Sequence, residues 1–229
     1  ARGKSAGRPA PCTWPYTSPT CTWLCCMAND TLFPQAREVF IDELLTDDNR
    51  ATCWVERGAF RDLSMEFWWE AVSAAGEGWR QNDIRVFGRW HKEPRLTAWW
   101  GPAYQYANVT WSQRSMSEEF QALKARVEAL AAFPYNGVLV NGYRDGQDSM
   151  GWHRDNEPEI DQASIASLSL GASRTFKVRD KQTKAVVNID LHHGDLLVME
   201  HLQEVHEHSV PKRAKVSAPR MNFTFRRLV

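Results

Sequence analysis

The stretch Gly151-Trp152-His153-Arg154-Asp155-Asn156-Glu157 decides how the rest of the chain is interpreted. His153 and Asp155 are two residues apart, so on an extended strand both side chains leave the same face. With one further histidine they would form a site of two histidines and one carboxylate, which is the usual cage for non-haem Fe(II). A lone His-x-Asp pair is common by chance, and its weight therefore depends on a second segment.

That second segment is the C-terminal run Arg220-Met221-Asn222-Phe223-Thr224-Phe225-Arg226. On a strand, one face is apolar and the other carries Arg220, Asn222, Thr224 and Arg226. A solvated surface strand would show the same alternation, and the pattern alone does not separate the two interpretations. Beside a metal triad, two guanidinium groups favour a clamp for a dicarboxylate, because they bind carboxylates bidentately. Fe(II) with a dicarboxylate indicates 2-oxoglutarate chemistry.

These segments resemble the AlkB family, the Fe(II)/2-oxoglutarate dioxygenases that repair alkylated nucleic acids. The motifs that carry the resemblance are 141–146, 151–155, 208–211 and the Arg-x-Asn-x-Thr-x-Arg run at 220–226. They occur in the family's order and with matching spacing between Ile84 and Leu228. The resemblance does not extend to the first part of the chain.

The third metal ligand is left open by the residues themselves, because His206 and His208 are two apart and face the same way on a strand. The Ser-Val-Pro after His208 and its spacing to Arg220 match the distal ligand of the family. The resemblance therefore implies that His153, Asp155 and His208 hold Fe(II) and form the catalytic centre. At His206, relatives commonly carry an aromatic residue.

The resemblance also implies a site for 2-oxoglutarate, with dioxygen as the other cosubstrate. The far carboxylate of 2-oxoglutarate is expected at Arg220, with help from Asn141 and Tyr143 on an earlier strand. Arg226 shares the face of Arg220 and is expected to support the ligand carboxylate or the cosubstrate. The expected cosubstrate residues are Asn141, Tyr143, Arg220, Asn222 and Arg226.

The run Ile84–His91 is strand-like and contains Gly88, which alone favours a β-hairpin with a buried phenylalanine. The resemblance implies a different use, because Val-Phe-Gly occurs at the finger that duplex-repair members insert into the base stack. A flipped base leaves a gap, and an apolar wedge can fill it and offset the unstacking cost. Phe87, between Val86 and Gly88, is the expected wedge.

Further residues are expected to bind the substrate. Arg95 matches the family and is expected to contact a phosphate or a base. Tyr104 and Tyr106 share a strand face, and the resemblance implies that they hold the damaged base, although aromatic residues there could also be core. Residues around the metal motif complete the set, namely Trp152, Asn156 and Glu157. Relatives often carry two acids after the ligand aspartate, so Asn156 is expected to alter base preference.

The fold class expected is α+β, mainly β, with a double-stranded β-helix (jelly-roll) core, flanking N-terminal helices and a nucleotide-recognition lid. Short strands with glycine turns after the His-x-Asp motif support the jelly roll. An apolar stripe predicts a helix at Gln35–Leu45. A second helix is predicted at Ser117–Ala132, with Ser115 and Glu118 as a capping box.

Residues 30–229 are expected to form a single catalytic domain, with the lid at 84–112 and the jelly-roll core at 134–229. Residues 1–29 are basic, free of acidic residues and without periodicity. They are excluded from the fold as a leader, a disordered segment or sequence upstream of a natural start at Met27.

Composition bounds the class of protein. The 229 residues are 43% hydrophobic with a formal net charge of zero, so charge gives no global argument for nucleic acid. Ser209–Val229 nevertheless contains six basic residues and no acid, which suits phosphate contacts or a solvated face. The sequence contains no apolar run long enough to span a membrane. The single cysteine of the expected domain, Cys53, fits a reducing intracellular compartment, and a monomer is expected.

The activity implied by the resemblance is oxidative demethylation of N-alkylated bases such as 1-methyladenine or 3-methylcytosine, with release of formaldehyde, succinate and CO2. Single- or double-stranded alkylated DNA is the expected partner. Three alternatives stay open: a hydroxylase of a small molecule or protein, an RNA demethylase, and a catalytically silent nucleic-acid reader. The wedge-like Val86–Gly88 disfavours the first, and the complete triad disfavours the last.

Overall fold

The computed structural model describes residues 37–46, 49–86, 88–106 and 109–229, and of Arg85, Val86 and Tyr106 it describes the backbone only. The segment 1–29 and Phe87 lie outside the described residues.

The described chain is built mainly from strands. The strands are β1 (Glu38–Thr46), β2 (Asn49–Glu56), β3 (Asp83–Val86), β4 (Arg89–Lys92), β5 (Leu96–Trp100), β6 (Tyr104–Tyr106), β7 (Val109–Trp111), β8 (Gly137–Tyr143), β9 (Met150–His153), β10 (Ile165–Gly171), β11 (Arg174–Asp180), β12 (Val186–Leu191), β13 (Leu196–Glu200), β14 (His206–Val210) and β15 (Arg220–Arg226). The helices are α1 (Met65–Ala74), α2 (Glu118–Ala131) and α3 (Leu202–Val205).

Two antiparallel sheets form the core of the fold. The larger has seven strands in the order β1-β2-β13-β10-β15-β8-β5, and the smaller has four in the order β12-β11-β14-β9. Buried side chains from both sheets, such as Leu139, Ile165, Phe176 and Ile189, form one cluster. The jelly-roll fold class is therefore confirmed. Two short hairpins, β3-β4 and β6-β7, complete the strands.

The other face of the large sheet is covered by helices α1 and α2. Trp68 of α1 meets Phe223 of β15 edge-on at 5.4 Å between ring centroids, and Phe120 of α2 at 5.0 Å. The parity predicted for β15 is thus observed: its apolar residues face the helices, and its polar residues face the space between the sheets. This division leaves the inter-sheet face free for a polar site.

The predicted helix at Gln35–Leu45 is wrong, because this part of the chain forms strand β1. β1 pairs along its length with β2, whose central residues are buried. Of its apolar residues, Val39 and Leu44 are exposed, and Ile41 is buried against the inter-sheet cluster. Pairing with the edge of a large sheet overrides a helical pattern that has only one buried anchor. Of the flanking N-terminal helices expected, the described residues show α1.

Helix α2 agrees with the predicted bounds, but its cap differs. The side chain of Ser117 accepts a hydrogen bond from the backbone N–H of Phe120, and Glu118 is the first helical residue. The predicted capping box of Ser115 and Glu118 is therefore wrong by two residues at its serine. Ser117 is the residue with the extended backbone that an N-cap needs, with φ −65° and ψ 171°.

One strand of the expected lid belongs to the same sheet as strands of the expected core. β5 lies within the expected lid, yet it pairs with β8 and closes one edge of the large sheet. β1 and β2 extend the other edge of the same sheet. Among the described helices, none has the length and apolar character needed to cross a membrane.

Candidate active site

Two strands of the smaller sheet place two histidines opposite each other. β9 ends at His153, β14 carries His208, and the antiparallel register pairs these residues directly. Their ring centroids are 4.2 Å apart. Asp155 follows β9 by two residues, and one potential ligand atom from each of the three side chains lies within 4.8 Å of the others. The structure thus brings the predicted triad together.

The triad can hold a metal ion, because one of its potential ligand atoms is buried without a hydrogen-bond partner. Nδ1 of His153 is 2.9 Å from the carbonyl oxygen of Gly151, which directs Nε2 towards Asp155 at 3.8 Å from Oδ1. That Oδ1 atom is buried and has no hydrogen-bond partner. Unpaired buried carboxylate oxygens are costly, and a cation shared with two imidazoles would satisfy this one. Two imidazoles and one carboxylate are the donor set of non-haem Fe(II) sites.

The charge state of the triad also suits a metal. Burial, with a smaller contribution from the neighbouring His153, lowers the pKa of His208 to about 3. Burial likewise lowers the pKa of His153. Both rings are therefore neutral at physiological pH, the form in which imidazole binds metals. Arg226 donates to Oδ2 of Asp155 at 2.8 Å and holds the pKa of this buried carboxyl well below its usual range.

A cavity between the two sheets opens next to the triad. Polar side chains from β8 and β15 line it together with apolar ones such as Leu139 and Phe176. The predicted residues among its walls are Arg95, Asn141, Tyr143, His153, Asp155, His208, Asn222 and Arg226. Eight of the residues proposed from the sequence therefore line one cavity, although they come from widely separated segments.

Arg220 lies beyond the walls of this cavity, paired in register with Tyr143. It is 2% exposed, and its guanidinium lies 5.2 Å from the ring centre of Tyr143. Nη2 donates to Oγ of Ser169 at 2.8 Å, while Nε and Nη1 are buried without a partner. Burial lowers the pKa of Arg220 to about 10, which still leaves the guanidinium charged at neutral pH. Buried unpaired donors of this kind suit an anion.

The Arg220→Lys substitution is expected to raise the KM for 2-oxoglutarate by about 10- to 100-fold, because a lysine cannot supply the paired donors of a guanidinium. The measurement is succinate release over a range of 2-oxoglutarate concentrations. Turnover at saturating 2-oxoglutarate should fall much less, and Arg227→Lys, at an exposed position just after β15, should behave like the unsubstituted chain. An equal loss of turnover at all concentrations would show that Arg220 does not bind the cosubstrate.

Arg95 is buried, whereas a residue that contacts phosphates at the surface would be exposed. It is 3% exposed, and its Nε donates to Oδ1 of Asn141 at 2.9 Å. Its Nη2 donates to Oε1 of Glu93, which is also buried, at 2.9 Å. Arg95 therefore reaches the cavity as part of a buried ion pair, and its contact with substrate stays a prediction.

The other predicted substrate residues are distributed around the triad. Tyr104 is 3% exposed, packs on Trp99 and accepts a 3.4 Å hydrogen bond from Arg226. Of Tyr106 the backbone alone is described. Trp152 is exposed beneath the guanidinium of Arg179 at 4.1 Å, Asn156 is exposed, and Glu157 is half-buried.

The expected finger is a β-hairpin. β3 pairs with β4 in the register Val86↔Arg89, and Gly88 between them has φ 78°, a conformation that glycine adopts without strain. All four residues of β4, Arg89–Lys92, are exposed, and Trp90 is 62% exposed. The role of Phe87 as a wedge stays a prediction.

Sequence reasoning missed the supports of the site on β10. Ser169 accepts from Arg220, and Ser167 accepts from Nδ2 of Asn222 at 2.7 Å. Both serines share one face of β10, so the parity argument used for β15 would have found them. The contact of Arg95 with Asn141 carried no comparable signal, because the two residues are far apart in sequence and are brought together by the pairing of β5 with β8.

Residues 52–226 match the family described as the 2OG-Fe(II) oxygenase superfamily. The chain therefore belongs to this superfamily, whose members use Fe(II), 2-oxoglutarate and dioxygen. A solved structure described as OsALKBH1 shares the fold, with a TM-score of 0.55 at 17% identity over 76% of this chain and 96% of that chain.

Relatives with higher identity define the branch of the superfamily. The chain is 40% identical over 159 residues to the DNA oxidative demethylase ALKBH2 of Bos taurus, which covers 64% of this chain and 57% of that protein. The ALKBH2 of Homo sapiens is also 40% identical, over 64% of this chain and 61% of that protein. The alpha-ketoglutarate-dependent dioxygenase alkB homolog 3 of Mus musculus is 39% identical over 59% and 52%.

These similarities confirm that the chain is a member of the AlkB family. The matched region spans less than two thirds of the length of these curated relatives.

Proposed function

We propose that this chain is an Fe(II)/2-oxoglutarate-dependent dioxygenase that removes N-methyl groups from alkylated DNA bases such as 1-methyladenine and 3-methylcytosine. The observation that carries the proposal is the buried, unpartnered Oδ1 of Asp155, which lies close to two neutral imidazoles. The other oxygen of Asp155 is held by an ion pair with Arg226. The relatives named as DNA oxidative demethylases support the choice of substrate. We further propose that the enzyme acts as an intracellular monomer.

In this proposal His153, Asp155 and His208 hold Fe(II), and Arg220 binds the far carboxylate of 2-oxoglutarate. When bound, the iron with 2-oxoglutarate and dioxygen supplies the oxidation of the N-methyl carbon, and the products are the restored base, formaldehyde, succinate and CO2. Arg226 keeps Asp155 ionised and fixes its orientation through the 2.8 Å ion pair. The apolar walls at Leu139 and Phe176 exclude water from the centre.

Asn141 is positioned for the cosubstrate by a chain of hydrogen bonds that includes Asn222. Asn141 accepts from Arg95 at 2.9 Å, and its amide lies 3.4 Å from Oδ1 of Asn222. Thr224 donates to the same oxygen at 3.0 Å, and Asn222 donates to Ser167. Because Asn141 is held by fixed neighbours, its second amide N–H can donate to a bound carboxylate at little entropic cost. Both N–H groups of Asn222 are taken by Ser167 and the carbonyl oxygen of Leu168, so Asn222 holds Asn141 in position.

Two exposed features support a nucleic-acid substrate. The β3-β4 hairpin presents the basic and aromatic side chains of Arg89, Trp90, His91 and Lys92 to solvent. The loop between β14 and β15 presents Lys212, Arg213 and Lys215. Cations contact phosphates, and an exposed indole can stack on bases. These local surfaces supply the electrostatic attraction that a net charge of zero does not.

The proposal predicts loss of the methyl mass from a 1-methyladenine oligonucleotide incubated with the protein, Fe(II), 2-oxoglutarate and air, measured by mass spectrometry. Single-stranded DNA, duplex DNA and RNA of one sequence are compared in parallel, with the same reactions lacking 2-oxoglutarate as controls. Turnover on duplex DNA at least equal to that on single strands is the result expected if the hairpin opens the duplex. Succinate release without methyl loss from any oligonucleotide would overturn the proposed substrate, and absence of both would overturn the dioxygenase.

A further inference from the structure

A second cluster of metal-ligating side chains lies outside the catalytic triad. Glu43 on β1, Asp180 at the end of β11 and His206 at the start of β14 each place one potential ligand atom within 4.8 Å of the others. Asp180 and His206 are register partners on neighbouring strands of the smaller sheet. Glu43 comes from the edge strand of the larger sheet. The cluster thus joins the edge strand of the larger sheet to the two central strands of the smaller sheet.

His206 is the residue that points to a ligand. Its side chain is 4% exposed, and Nδ1 is buried without a hydrogen-bond partner. Nε2 lies 3.4 Å from Oε1 of Glu43, which is long for a hydrogen bond between a ring N–H and a carboxylate. A buried imidazole usually has a good hydrogen bond at one or both ring nitrogens, and His206 has none at either. A metal ion between the ring and the Glu43 carboxylate would account for the 3.4 Å spacing.

The carboxylate of Asp180, the second potential metal ligand, is held in a fixed orientation by hydrogen bonds. Its Oδ1 accepts hydrogen bonds from the backbone of Gln182 at 2.9 Å and from the hydroxyl of Thr183 at 2.8 Å. Hydrogen bonds from the backbone and the hydroxyl of Thr183 lower the pKa of Asp180, with smaller contributions from the backbone of Gln182 and from His206. The carboxylate is therefore ionised and fixed through one oxygen, and Oδ2 takes no part in the turn.

The basic side chains next to Asp180 are directed elsewhere. Arg179 pairs with Glu207 at 2.7 Å, and Nζ of Lys181 donates to the carbonyl oxygen of Glu204 at 2.8 Å. Two carboxylates that approach within 4.8 Å repel each other unless a cation lies between them. A cation at this point would offset that repulsion and tie Glu43 of β1 to the smaller sheet.

We propose that Glu43, Asp180 and His206 form a second metal site, separate from the catalytic centre, that binds Zn²⁺ or a similar divalent transition-metal ion and fastens the edge strand β1 to the smaller sheet. One imidazole and two carboxylates match the ligands of zinc, whereas Ca²⁺ and Mg²⁺ prefer sites built of oxygen atoms. The side chain of Glu43 is 48% exposed, so a water molecule can complete a tetrahedral set.

The test compares zinc bound by the full chain and by the Glu43→Gln/Asp180→Asn double variant after dialysis against a zinc-buffered solution, with the metal measured by atomic emission. The double variant is expected to hold about one zinc ion fewer per chain. A difference is measured because the catalytic triad and the four cysteines of residues 1–26 can also bind zinc. Asparagine at position 180 keeps the oxygen that the turn uses, so the fold should be retained.

The matched control is Asp42→Asn, because Asp42 neighbours Glu43 on β1 but pairs with Arg50 at 2.6 Å. This control should hold as much zinc as the unsubstituted chain. The same loss of about one ion should be seen when the double substitution is made in His153→Ala, whose catalytic triad is incomplete. Zinc should also slow amide hydrogen exchange in β1 of the control and leave it unchanged in the double variant. Equal zinc contents in the double variant and the control would overturn the proposal.

Discussion

Substitution of His153 by alanine is expected to abolish demethylation and succinate release while leaving the chain folded. His153 contributes one of three converging ligand atoms, and two remaining ligands cannot fix a metal in the facial geometry that leaves sites open for cosubstrate and dioxygen. The loss should exceed the roughly 10- to 100-fold that removal of a residue behind a metal ligand costs. The measurements are succinate release, methyl loss and iron content after anaerobic loading.

The control for this variant is His192→Ala. His192 follows β12 at an exposed turn, where its Nδ1 lies 2.8 Å from the hydroxyl of Ser173, and it has no part in either metal cluster. Unchanged circular dichroism in both variants would show that the fold is retained. Turnover retained in His153→Ala would contradict the assigned triad.

Substitution of Arg226 by alanine is expected to give the largest loss of stability among the variants considered. Arg226 and Asp155 have side chains 4% and 3% exposed and form an ion pair at 2.8 Å. Removal of one partner leaves a buried charge without compensation, which costs about 3–5 kcal/mol of the free energy of unfolding. Urea unfolding of the metal-free protein measures this loss directly.

Two comparisons identify the cause of that loss. Arg227→Ala changes the next residue, whose side chain is 46% exposed and 4.0 Å from Asp161, and should cost less than about 1 kcal/mol. Adding Asp155→Asn to Arg226→Ala should recover part of the loss, because no charge then remains buried at this point. If the double variant is no more stable than Arg226→Ala alone, the buried carboxylate is not the source of the instability.

Much of the site could be predicted because its residues are two apart on strands and therefore share a face. The His-x-Asp spacing and the alternation along 220–226 fix which side chains share a face whatever the rest of the fold does. The resemblance then selected His208 over His206, and the structure groups His208 with His153 and Asp155. In the structure the two candidates differ by their cross-strand partners, His153 for one and Asp180 for the other.

The parts that could not be predicted depend on contacts distant in sequence. β1 is a strand because β2 offers it a free edge, and β2 is held in turn by β13, far along the chain. The local pattern of residues 35–45 does not reveal that pairing, and its apolar residues at helical spacing therefore predicted a helix. The same holds for Arg95, whose burial follows from the pairing of β5 with β8.

The position of β9 gives the catalytic centre a further property. β9 is four residues long, lies at the edge of its sheet and pairs with β14 only through Met150 and His153. A strand held so weakly opens more readily than the strands at the centre of the large sheet. A metal ion bound across His153, Asp155 and His208 would act as a clasp on this strand. Iron occupancy and protection of the Met150–Glu157 backbone from proteases would then rise and fall together.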